Sequence, residues 1–256
     1  MATAAKIHRA IDRETRFFFV SAVLMALVLV GGFSMQFLMG RSTFSAPVFV
    51  HVHALLFFGW TALYVLQNAL VATGSTTMHR RLGWLAAIWV PAMAIMGIFV
   101  TVVMVRRGAV PFFFQPAYFL VMNPITILIF AGLTFAAIRL RKETQWHRRL
   151  MFCGMAALTG PGFGRLLPMP LLIPWAGWAV FAAVILFPLA GIVRDLRKTG
   201  KVHAAWWWGA GMILVAQVAM DVIANSGAGL GLYHWTTQNS PGANLAPLAY
   251  PLPPGV

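Results

Sequence analysis

An all-α bundle of seven transmembrane helices, N-terminus inside and C-terminus outside, is the fold this sequence predicts. Three observations carry it. Only 9% of the 256 residues are charged and 60% are hydrophobic, against about 25% charged in a soluble domain. Seven charge-free apolar runs recur along the chain, most of them near the roughly 20 residues that cross a hydrocarbon core. Fifteen of the 19 Lys and Arg residues fall in alternate inter-span segments, as the positive-inside rule requires. The net charge of +14 then reflects one-sided placement at a membrane surface, and no nucleic-acid partner is expected.

The expected spans lie at about 17–39, 47–73, 82–104, 115–138, 149–165, 173–193 and 204–226. A basic segment, Lys6 to Arg16, precedes the first. The apolar run that follows it is too long for a cleaved signal peptide and reads as an uncleaved anchor. The inner segments carry, among others, Arg80 and Arg81, then Arg148 and Arg149, then Arg194 to Lys201. Arg41, Arg106, Arg107 and Arg165 are left outside. Trp206, Trp207 and Trp208 open the seventh span where an inner aromatic belt sits. Residues 1–226 form one membrane domain of a multi-pass protein of the bacterial inner membrane. Residues 227–256 form an outer tail, whose five prolines argue against a regular helix and for an extended or disordered strand of chain. Lipid is the expected partner; other membrane subunits and quinone are further candidates.

The fifth span is short, and Gly160-Pro161-Gly162-Phe163-Gly164-Arg165 is expected to end it. Irregular backbone at that depth is tolerated only against protein or a cavity. Counting about 1.5 Å per residue from the expected helix ends puts His53, Arg165 and Asn123 on the order of 8–12 Å below the outer interface, with Asp221 near it. Asp221 is the only acidic residue inside an expected span, and Gln217 shares its helix face. Arg165 is its one basic candidate partner, either as a structural tie or as part of a site. On the second span His53 shares a stripe with Trp60 and Gln67, whereas His51 points along a wholly apolar direction. An outer-leaflet pocket walled by His53, Trp60, Asn123, Arg165, Gln217 and Asp221 is expected.

His79-Arg80-Arg81-Leu82 recurs as His147-Arg148-Arg149-Leu150. Each copy is expected to open a helix on the inner side. Basic residues there obey the positive-inside rule, and histidines there also suit a cofactor. The pattern His53, Gly59, Gln67 and His79-Arg80-Arg81-Leu82-Gly83 resembles a group of uncharacterised bacterial membrane proteins. That group is distantly similar to cytochrome b561-type bundles. The resemblance covers about 45 residues and implies b-type haem held by paired histidines, here His79 and His147. Paired imidazoles on facing helices at one depth are what such a haem requires. Met35 and Met39 with His51 and His53 form a copper candidate, since thioethers suit Cu(I).

Other chemistries are excluded. One cysteine, Cys153, permits no internal disulfide or multi-cysteine metal site. No lysine follows Val202, which removes a retinal Schiff base in the last helix. There is no GxxxxGK[ST], HExxH, GxSxG or CxxC. Two functional classes remain open: a binding, transport or accessory membrane protein, and a haem- or quinone-linked electron carrier.

Overall fold

The computed structural model describes residues 13–253. Lys6 and Arg9 of the basic segment and Pro254 of the tail lie outside them. Among the described residues the chain is helical, without strands: α1 (Arg13–Leu38), α2 (Val48–Ala72), α3 (Thr76–Gly83), α4 (Ala86–Arg106), α5 (Pro116–Arg139), α6 (Thr144–Leu158), α7 (Gly160–Leu166), α8 (Ala176–Thr199), α9 (Ala204–Ala224) and α10 (Gly227–Thr237). Six of these, α1, α2, α4, α5, α8 and α9, are long and apolar enough to cross a membrane. Their outward faces are apolar stripes. Ile88 and Ile95 on α4, and Val215 and Val222 on α9, are exposed one heptad apart. Such faces are stable only against hydrocarbon, so the bundle is that of a multi-pass membrane protein.

α5 and α6 pack closely on each other and lie at the centre. α4, α9 and α10 pack on α5, while α1, α8 and α9 pack on α6. Without a hydrophobic drive between helices in lipid, close backbone approach supplies the packing. Gly32 of α1 and Gly162 of α7 show it. A Cβ on Gly32 would lie 2.5 Å from the Gly162 carbonyl oxygen, and one on Gly162 would lie 2.8 Å from that of Val28.

Three expectations change. First, α6 does stop at Leu158, but the Gly160–Arg165 segment beyond it is helical, not irregular. Thr159 keeps right-handed helical dihedrals, and Gly162 and Phe163 donate back to its carbonyl, so α7 follows α6 after one irregular residue. Pro161 sits in the first turn of α7, where its missing N–H costs nothing. Second, the first His-Arg-Arg-Leu copy does not open a spanning helix. It lies on the separate α3, joined to α4 through i→i+3 bonds from Trp84 to Arg81 and from Leu85 to Leu82, a tighter turn that redirects the chain.

Third, the tail begins with a helix. The prolines start only at Pro241, and Ser226 caps α10 by accepting from the Gly229 N–H at 3.2 Å. Beyond it the chain is tied down. Tyr233 is buried and its hydroxyl donates to the Gly242 carbonyl at 2.7 Å. Ala117 N–H donates to Pro247, and the Gln115 amide to Leu248. The tail is therefore part of the bundle's end wall.

Candidate functional site

The six expected pocket residues separate into groups. The His53 ring stacks on Phe57 at 4.2 Å, and its Nδ1 is buried without a partner. The charge that faces it is Arg165. Arg165 lies 3.8 Å above the Phe33 ring and donates to the Pro161 carbonyl at 2.9 Å. On α9, Asp221 is met by Trp178 and Gln217, and the Gln217 amide donates to the Tyr118 hydroxyl at 3.0 Å. Asn123 bonds the Phe119 carbonyl of its own helix. Trp60 packs edge-on against Phe130.

No ion pair joins Asp221 to Arg165 among the described residues. Phe33 and Pro161 hold the guanidinium at α1 and α7, whereas Asp221 belongs to α9 beside α8. Comparable depth does not imply a shared azimuth.

A different alignment emerges. His53 Nδ1, Trp60 Nε1 and Gln67 Oε1 are all buried and unpartnered. They stand at i, i+7 and i+14 on α2, so they share one face within about 40° and span roughly 21 Å. Thr134 Oγ1, one turn from Phe130 on α5, and His79 Nδ1 on α3 are buried and unpartnered too. The Gln67 carbonyl lies against the His79 ring. Gly83 borders the Gln67 amide, and Gly59 leaves room for Trp89, whose Cζ2 a Cβ there would meet at 2.6 Å. The result is a column of hydrogen-bonding atoms down the inside of the bundle.

At its lower end the two repeated tetrapeptides converge. The His79 and His147 ring centroids are 6.2 Å apart, with planes at 81°. His147 Nδ1 lies 2.8 Å from the Ala137 carbonyl, so Nδ1 carries the proton and Nε2 presents its lone pair. Burial, then the neighbouring His147, hold the His79 imidazole below its usual range. An imidazole anchored on the Ala137 carbonyl beside one that lies against the Gln67 carbonyl and keeps a free Nδ1 is a donor set that fits a haem iron. The copper candidates fit less well. Met35 and Met39 are exposed, and His51 bonds the Phe44 carbonyl. Among the described residues no group of three His, Cys, Asp or Glu side chains could hold a metal ion.

The sequence missed a second polar site, at the end of the bundle where α6 begins and α8 ends. Arg149 is 4% exposed and Asp195 5%. The guanidinium donates to both carboxylate oxygens, at 3.0 and 2.9 Å. Asp195 also accepts from the Trp206 indole at 3.0 Å and the His203 backbone N–H at 3.3 Å. Glu14 is paired with Arg148 and lies near Arg149, Arg194 and Lys198. Gly191 makes the space for Trp206, whose ring a Cβ would meet at 2.2 Å. Burial and the Arg149 charge lower the His203 pKa, in keeping with its Nδ1 accepting from Ala205 N–H. Asp221 is therefore not the only acid in a spanning helix, because Asp195 lies within α8 and Glu14 within α1. Nor do the three tryptophans form one belt: Trp207 and Trp208 are exposed, but Trp206 is buried. A run of three indoles directly after an Asp-containing basic segment was the available signal.

No protein-family model matches the chain, and no curated protein or solved structure shows significant similarity to it.

Proposed function

We propose that this is a seven-crossing protein of the bacterial inner membrane that moves protons along the α2 column. α6 and α7 together supply the seventh crossing; 23 residues at 1.5 Å reach roughly 34 Å. The clustering of Glu14, Arg148, Arg149, Arg194 and Lys198 at one end supports a cytoplasmic N-terminus.

One observation carries the transport reading: four buried polar atoms without protein partners, His53 Nδ1, Trp60 Nε1, Gln67 Oε1 and His79 Nδ1, follow one another from α2 to α3. Left dry, each costs about 1–3 kcal/mol, or roughly 4–12 kcal/mol together, comparable to the whole net stability of a typical domain. Water between them removes that cost. An imidazole accepts a proton on one nitrogen and releases one from the other, so His53 and His79 can pass protons into and out of a water file. Trp60, Gln67 and Thr134 orient the water between them. His147, its tautomer set by Ala137, is the acceptor beyond His79.

The test is purified protein in vesicles loaded with a pH-sensitive dye, under a potassium diffusion potential. Proton entry well above that of empty vesicles is expected, slowed at least tenfold in His53→Ala and Gln67→Leu. Equal rates with and without protein would reject transport.

The 6.2 Å approach of His79 and His147 supports a second reading, a b-type haem protein in which these two histidines would hold the iron. The bound haem would supply one-electron chemistry. The chain's part is to fix the His147 tautomer through Ala137 and to bury both rings. A visible absorption band lost in His147→Ala would support it; a colourless preparation of folded protein would not.

A further inference from the structure

A groove of about 640 Å³ runs between α1 and α8, helices that both pack on α6 and α7. One wall is the α1 stripe Arg13, Phe17, Val20 and Leu24, and the other the α8 stripe Ala183, Phe187 and Ala190. Phe163 of α7 also lines it. The spacing i, i+4, i+7, i+11 keeps each stripe on one helix face. Both stripes end in guanidinium groups at the same end. Arg13 and Arg16 close the α1 side. The α8 stripe continues one turn to Arg194, whose guanidinium lies 5.0 Å from the Phe17 ring centre. Among the described residues those cations are only partly neutralised, since Glu14 lies 3.8 Å from Arg194 and is already paired with Arg148.

From Arg13 to Leu24 the groove is roughly 16 Å long, about the depth of one bilayer leaflet. Its apolar walls and cationic end match one acyl chain with its phosphate. We propose that this groove seats an anionic phospholipid, with the chain between α1 and α8 and the phosphate held by Arg13, Arg16 and Arg194. Basic pockets between transmembrane helices on the cytoplasmic side suit such headgroups. The site is separate from the α2 column and independent of its proposed role.

Native mass spectrometry in a neutral detergent, with equimolar phosphatidylglycerol and phosphatidylcholine of the same chains, tests it. Wild-type protein is expected to retain phosphatidylglycerol at least fivefold over phosphatidylcholine. R13Q/R16Q should abolish that preference. A183W, which fills the groove without changing charge, should lower retention of the anionic lipid at least fivefold. Should R13Q/R16Q fail to fold, A183W alone decides. Equal retention of both lipids, or unchanged retention in A183W, would overturn the proposal. So would a dimer that A183W dissolves, or a neutral quinone that A183W displaces.

Discussion

Replacing Arg149 by Met is the sharpest perturbation of the buried network. It removes the guanidinium that gives Asp195 three hydrogen bonds and its nearest positive charge. The Trp206 indole and the His203 N–H remain, but neither carries a full charge to offset the carboxylate. Arg194, 3.7 Å away, is shared with Glu14. Breaking one side of a buried pair costs about 3–5 kcal/mol. For a chain of this size each kcal/mol is worth about 2–4 °C, so the midpoint should fall by roughly 6–20 °C. Cys153 provides the assay: it is the only cysteine and is fully buried, so a thiol-reactive fluorophore reports unfolding during a thermal ramp in detergent. The double variant R149M/D195L, which removes both charges, should recover most of the loss, because replacing a buried pair with apolar groups is often neutral or better. A midpoint within about 2 °C of wild type for R149M would refute the reasoning, as would a double variant no better than the single.

Three further outcomes follow from the packing and titration. Gly162→Ala puts a Cβ 2.8 Å from a backbone oxygen of α1 and should cost about 1–3 kcal/mol, read by the same thiol ramp; no change would mean that the α1–α7 approach is looser than described. Tyr233→Phe removes the hydroxyl that donates to Gly242 and Leu245, and faster proteolysis after Gln238 is expected, with unchanged cleavage counting against a docked tail. His79 titrates below its unfolded value of 6.5, so between the two values the unfolded chain binds more protons. Stability from this residue is present above pH 6.5 and falls as the pH drops towards the folded value; His79→Gln should flatten that slope in thermal ramps between about pH 8 and 5, and an unchanged slope would place the ring in water.

The spanning helices were legible because apolar length and charge boundaries are properties of the chain in one dimension. α2, expected at about 47–73, is Val48–Ala72, and α9, expected at 204–226, is Ala204–Ala224. What failed needed three dimensions. Ending the sixth span at residue 193 cut Asp195 from its helix, and its partner Arg149 lies 46 residues away on α6. Depth put Asp221 and Arg165 at comparable levels, but only packing fixed which way each faces. Prolines late in the tail obscured a capped helix at its start. The α2 face was half read: His53, Trp60 and Gln67 were placed on one stripe, yet their continuation to His79 depends on the α2–α3 turn.

A cryo-EM map resolving ordered water is the most direct measurement. Solvent peaks are expected within hydrogen-bonding distance of His53 Nδ1, Trp60 Nε1, Gln67 Oε1 and His79 Nδ1. Those four atoms bonded instead to protein groups, or rotated out among acyl chains with dry packing behind them, would contradict it.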